Sequence, residues 1–379
     1  MTRRSRGLLT GYFLGLGVVM AVWGARMPAV QQAAHLSTAH LALVLLAAAL
    51  GMVAGLQIGG RLARPARLPA LLTSGAAGLA VCLALLGQCD SLPSLLTAAL
   101  AFGIAHGVLD VAANSAAVRC QNAYGRPIMS GLHAAYSIGA LAGAALAAVT
   151  AHTAHSALFL ATGLVLTGAA LAAAPATRSL NGTDQPPAPA NPGQNESRSA
   201  LSSGQLWLLG ALAASSLLGE GAAADWAAVH LHSLDASTAV SAAAFALYSG
   251  AMTVGRLAGD RLTTAFGAPG VVRAGAILAA AGLATGVVTS STPLALAGWA
   301  VFGLGLSITV PCLISAAGVG GPRAVATVAV TGYLGLLAGP ALIGALATVT
   351  TLSTALLLPA LLAAAVAALS HRALENTSP

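Results

Sequence analysis

Apolar residues run along this chain in blocks of about twenty, each long enough to cross a bilayer as a helix. Twelve such blocks fall near 8–30, 39–60, 69–88, 93–118, 128–150, 156–174, 204–230, 239–258, 271–290, 294–316, 325–346 and 353–370. They predict an all-α membrane protein of twelve transmembrane helices in two six-helix lobes. The lobes span 1–174 and 204–379, and a proline-rich polar linker at 175–203 joins them.

The links between blocks alternate in charge. Arg61, Arg64 and Arg67, then Arg119 and Arg126, Arg178 and Arg198, Arg261, Arg323 and Arg372 mark one side. Links such as CDSL (89–92) and AHTAH (151–155) on the other side carry no arginine. Positive charge stays on the cytosolic side, so both termini are expected in the cytosol of a multi-pass protein of the bacterial inner or plasma membrane. Arg3, Arg4 and Arg6 precede the first block without a small-residue cleavage site after it, and read as a basic anchor rather than a signal peptide.

Composition narrows the class. Charged residues make up 7% of the chain and hydrophobic residues 57%, with a mean hydropathy of +0.86. A soluble domain carries about 25% charged residues, so the solvent for this surface is the lipid bilayer. The net charge of +7 comes from sixteen arginines scattered among apolar runs, not gathered on one face, so nucleic acid is not an expected partner. Cys82, Cys89, Cys120 and Cys312 are dispersed and show no CxxC spacing, so neither a disulfide nor a metal site is expected. No GxxxxGK[ST] loop and no nucleophile–base set occurs, so no cofactor, ATP-driven transport or enzymatic activity is expected. The glycine series Gly51/Gly55/Gly59 and Gly139/Gly143 read as close-packing helix faces.

The two halves repeat at an offset of 200. Gly55, Gly59, Arg61 and Leu62 recur as Gly255, Gly259, Arg261 and Leu262; Phe102-Gly103 recurs as Phe302-Gly303, and Ser115-Ala116-Ala117 as Ser315-Ala316-Ala317. Parallel six-helix repeats are the architecture of two-lobed alternating-access transporters, with substrate at the midplane.

The link GGRLARPAR (59–67) and its repeat GDRLTTAFG (259–267) resemble the cytosolic signature loop of the major facilitator superfamily. The first copy has Gly60 where that family carries aspartate; the second keeps Asp260 and Arg261. LDVAANS (109–115), RPIMSGLHAAYSIGAL (126–141) and EGAAADWAAVHL (220–231) resemble the fucose-permease-like branch. The resemblance implies proton-coupled transport of a small polar solute, with the carboxylate of the fourth helix as the coupling group. It also implies gating roles for Arg61, Asp260 and Arg261.

Polar residues inside the spans are candidates because an ionised side chain at a helix centre costs about 2.5–3.5 kcal/mol on insertion scales. Asp110 lies deep in the fourth span, with His106 one turn before it and Asn114 one turn after, on a single stripe. A carboxyl group in an apolar setting exchanges protons closer to neutral pH than one in water. The competing reading is that the stripe only hydrogen-bonds neighbouring helices. Glu220, near the middle of the seventh span, is the second proton-coupling candidate, or a binder of solute hydroxyls. Arg26 and Asp225, near the outer ends of the first and seventh spans, are expected to latch together; alternatively Arg26 snorkels unpaired. His133 with Tyr136 forms an i, i+3 set, Tyr333 is the repeat of His133, and Trp23, Tyr248 and Tyr333 offer rings for a sugar-like solute. Trp and Tyr also gather at membrane interfaces without binding anything.

The expected function is proton-linked symport of a small polar, sugar-like solute by a monomer. One proton crossing about 150 mV releases roughly 3.5 kcal/mol, which supports a gradient of about two and a half decades. Proton-antiport efflux of a drug or secondary metabolite requires the same fold and the same buried acids. A passive channel and a membrane enzyme are the readings from other classes.

Overall fold

The computed structural model describes residues 2–178, 180 and 201–375, which are helical almost throughout. In chain order the helices are α1 (Thr2–Ala33), α2 (Thr38–Leu62), α3 (Leu68–Leu86), α4 (Leu92–Tyr124), α5 (Met129–Val149) and α6 (His155–Arg178). They are followed by α7 (Ser203–His232), α8 (Thr238–Val288), α9 (Thr292–Leu306), α10 (Thr309–Ala317), α11 (Gly321–Val349), α12 (Leu352–Ala355) and α13 (Leu357–Leu374). Ten helical stretches among the described residues are long and apolar enough to cross a membrane.

Two of those stretches are double length. The 51 residues of α8 would span about 75 Å at 1.5 Å per residue, against a hydrocarbon core of about 30 Å. Its regular geometry fails at Gly267, where φ is 73°, two residues before Pro269. A residue without a Cβ adopts this left-handed backbone at little cost, so the chain can turn there. The stretch from Thr292 to Val349 is broken between α9 and α10 at Ser307–Ile308, and again at the 3-10 turn Gly318–Gly320. These breaks accommodate the twelve expected passes.

The offset of 200 governs the helix starts as well as the sequence. Ser37 caps α2 by accepting the His40 N–H, and Ser237 caps α8 by accepting that of Val240. Each serine follows a residue of positive φ two positions earlier, His35 at 50° and Asp235 at 57°. Ser91 and Ser291 stand at the N-caps of α4 and α9, each helix opening with a proline. Helix α5 ends at Val149 and α11 at Val349.

The chain forms two compact units. Counting described residues only, one is built from Met1–Gly125, Ala135–Ser199 and Gly321–Ala326, and the other from Arg126–Ala134, Ala200–Gly320 and Thr327–Pro379. The division differs from the expected boundary at 174 and 204 in two places: the start of α5 belongs to the second unit and the start of α11 to the first. Of the linker expected at 175–203, residues 175–178 are the end of α6, Ser203 begins α7, and 181–200 lie outside the described residues.

Within each unit a close helix crossing rests on glycine. A Cβ on Gly103 would run into the carbonyl oxygen of Ala48, and one on Gly303 into that of Tyr248. Backbone-to-backbone approach of this kind is how helices associate where lipid removes the hydrophobic drive. Large apolar side chains such as Leu164, Val165 and Leu361 point outward and are 64%, 69% and 68% exposed, a surface suited to lipid.

Candidate substrate and proton site

In the first unit, α4 carries Phe102, His106, Asp110 and Asn114 at every fourth position, so the four share one face. The three polar members are buried, with 5%, 8% and 2% of their surface exposed respectively. Asn114 Nδ2 donates to the Asp110 backbone carbonyl at 3.0 Å, while its Oδ1 is buried and unbonded. Trp23, on α1, packs its ring on Phe102 with centroids 5.0 Å apart, and its buried Nε1 has no acceptor. An unmet donor on α1, beside Phe102, and an unmet acceptor on α4 thus flank the stripe. Buried polar atoms are ordinarily bonded, so such orphans point to a ligand or water.

Arg26 is also buried, and it is bonded within this unit. Its guanidinium donates to the carbonyls of Thr150 and Ala151 and to Thr150 Oγ1, just past the end of α5. A cation there meets the unsatisfied carbonyls of a helix C-terminus. Its expected partner Asp225 is exposed on α7, in the other unit. His133 and Tyr136 are both half-buried on α5 but are divided between the units, His133 in the second and Tyr136 in the first.

In the second unit Glu220 of α7 meets Arg256 of α8 at 3.4 Å, with the two side chains 19% and 8% exposed. Arg256 Nε also donates to the Ser307 carbonyl at 3.4 Å, at the break between α9 and α10. Tyr248 is buried beside them, its ring 5.8 Å from Phe302 and stacked on Phe245 at 6.1 Å, and its hydroxyl has no partner. Tyr333 is half-buried on α11. Asp260 Oδ2 accepts the backbone N–H of Gly131 at 3.1 Å, in the first turn of α5. Arg61 and Arg261 are exposed at the two signature loops. Among the described residues no group of three His, Cys, Asp or Glu side chains is placed to hold a metal ion.

The family model described as Major Facilitator Superfamily matches residues 8–322. The chain belongs to that superfamily. A relative from Sinorhizobium fredii, named as an uncharacterised transporter y4wD, is 33% identical over 96% of this chain and 97% of its own. The outward conformation of FucP, the E. coli fucose:proton symporter, superposes with a TM-score of 0.76 at 17% identity, covering 97% of this chain and 98% of that one. The proton:xylose symporter XylE gives 0.75 at 12% identity, covering 98% and 95%. These likenesses to solved structures establish the fold; the family match and the relatives named as transporters make the chain a multi-pass transporter and not an enzyme.

For a major facilitator, the departure at Gly60 now has a steric reason. A Cβ there would lie 2.6 Å from the Cβ of Ala326 and 3.4 Å from the Pro322 carbonyl, at the start of α11. Gly60 packs against the start of α11, where a Cβ would collide with Ala326, whereas Asp260 of the second copy bonds to the start of α5. Arg256 is the residue that reasoning from sequence missed. Its signal was a lone arginine inside an apolar run, opposite an apolar Leu56 in the repeat.

Proposed function

We propose that this major facilitator is a proton-coupled symporter of a small polar, sugar-like solute. It works by alternating access as a monomer in the bacterial inner membrane, with both termini in the cytosol. The observation that carries the reading is the buried His106–Asp110–Asn114 face, closed at one end by Trp23. Asp110 is the group that takes and releases the transported proton, because it is an acid held on α4 away from water. His106 and Asn114 bracket it with groups that can bond a solute or pass a proton. The fold neighbours FucP and XylE, a fucose:proton and a proton:xylose symporter, support the assignment.

The test uses proteoliposomes with an inwardly directed proton gradient and a panel of labelled monosaccharides and sugar acids. Uphill accumulation of at least one solute, abolished by a protonophore, is expected. Downhill movement that does not saturate and ignores the gradient would point to a channel, and the proposal would fall.

A further inference from the structure

A proton carried by Asp110 leaves the Glu220–Arg256 pair without a task, yet the pair sits inside an apolar unit where isolated charges are costly. The contact between them, 3.4 Å, is longer than the 2.7–2.9 Å typical of a strong charge-assisted bond. Around the pair lie hydroxyls that nothing satisfies. Tyr248 Oη, Ser216 Oγ one turn before Glu220, and Thr309 Oγ1 two residues after Ser307 are all buried without a hydrogen-bond partner. The other titratable groups within electrostatic reach are Tyr248, which feels both Glu220 and Arg256, and His133, which feels Arg256.

We infer that Arg256 is the receptor for a carboxylate on the transported solute, and that Glu220 releases it by taking up a proton. The inference rests on the symporter reading above and narrows its solute to a polyhydroxylated acid. The exchange balances. A glutamate–arginine pair, one proton and one solute carboxylate become a neutral glutamic acid and an arginine–carboxylate pair. The buried cluster gains no net charge, which a low-dielectric site favours. The unbonded hydroxyls supply contacts for the solute's own hydroxyls. A neutral sugar offers nothing to replace Glu220 and leaves the pair closed. Arg256 thus selects for the acid, and Glu220 makes its capture cost one proton.

Titration calorimetry on the purified full-length protein tests this with D-glucuronate and D-gluconate against D-glucose and L-fucose, in buffers of differing ionisation enthalpy. The acids should bind with uptake of about one proton each, and their affinity should fall about tenfold per unit as pH rises through the range where free Glu220 is ionised. Glu220→Gln mimics the released state, so it should bind the acids without proton uptake and with affinity flat in pH. Arg256→Gln should lose the preference for acids, and Glu220→Gln with Arg256→Gln gives the same readout free of any unpaired buried charge. Acid binding that is flat with pH in the natural protein, loss of acid binding in Glu220→Gln, or binding of the neutral sugars alone overturns the inference. The two readings fail separately. Gradient-driven uptake of a neutral sugar that survives Arg256→Gln removes the acid selectivity and leaves symport standing. Acid binding with proton uptake but no gradient-driven accumulation removes symport and leaves Arg256 as the acid receptor.

Discussion

Asp260 Oδ2 accepts the backbone N–H of Gly131 at 3.1 Å, placing a carboxylate on the first turn of α5. That turn has donors with no helical partner and the positive end of the helix dipole, and an anion there contributes about 0.3–1 kcal/mol, up to about 2 when partly buried. The contact joins a signature loop to the start of a helix and involves no residue of the buried stripe, so it bears on a conformational step. Asp260→Ala should therefore lower turnover several-fold while solute affinity stays within a factor of about two. Transport kinetics beside equilibrium binding measure both, and a large loss of affinity at unchanged turnover would contradict the assignment.

The first loop makes the reverse prediction. Gly60→Asp restores the residue usual in the family, yet its Cβ would lie 2.6 Å from that of Ala326. Overpacking of this kind costs typically about 1–3 kcal/mol. The variant should melt earlier and transport less, and adding Ala326→Gly should recover part of both. A Gly60→Asp protein of natural stability would show that the contact is not tight.

Helix spacing gives a matched pair of tests. Gly103→Ala and Gly303→Ala each push a methyl into a carbonyl of the facing helix, whereas a methyl added at Gly250 or Gly270 would meet nothing within 4 Å. The first two should each lower thermal stability in detergent by about 1–3 kcal/mol, and Gly250→Ala should leave it unchanged. Equal behaviour of the three variants would argue against close packing at the two repeat-related crossings.

Arg26 bonds the carbonyls beyond the end of α5. Removing one partner of a buried hydrogen bond to a charged group costs about 1.5–3 kcal/mol. Arg26→Gln should thus lower the melting temperature, whereas Asp225→Asn, at an exposed position, should not. A thermal melt of both variants decides; identical losses would tie Arg26 and Asp225 together.

The helices, their repeat and the α4 stripe were legible because lipid imposes one rule on every span: apolar outside and about twenty residues long. Ser37 and Ser237, or Gly103 and Gly303, could be aligned by counting, since each answers a local backbone need. Partnerships between helices could not. Glu220 and Arg256 are 36 residues apart on different helices, and no periodicity within one span relates them. Arg26 is expected to pair with Asp225 from their places near the span ends, while two of the bonds it makes are to backbone carbonyls, which leave no mark in a pattern of side chains. The grouping of Arg126–Ala134 with the second unit is hidden from the sequence for a similar reason: it goes with contacts such as Asp260 to Gly131, across 129 residues.

The central claim is that the transported proton rides on Asp110, and Asp110→Asn tests it most directly. Asparagine keeps the shape and the hydrogen bonding of the neutral acid but has no proton to release. The measurement is uphill uptake under an imposed pH gradient, compared with counterflow exchange in the same proteoliposomes. The account predicts that Asp110→Asn, made in the Glu220→Gln background so that no proton enters through Glu220, exchanges solute at a rate near that of Glu220→Gln alone and accumulates none. If the variant still concentrates solute when the gradient is applied, the proton travels by another residue and the assignment is wrong.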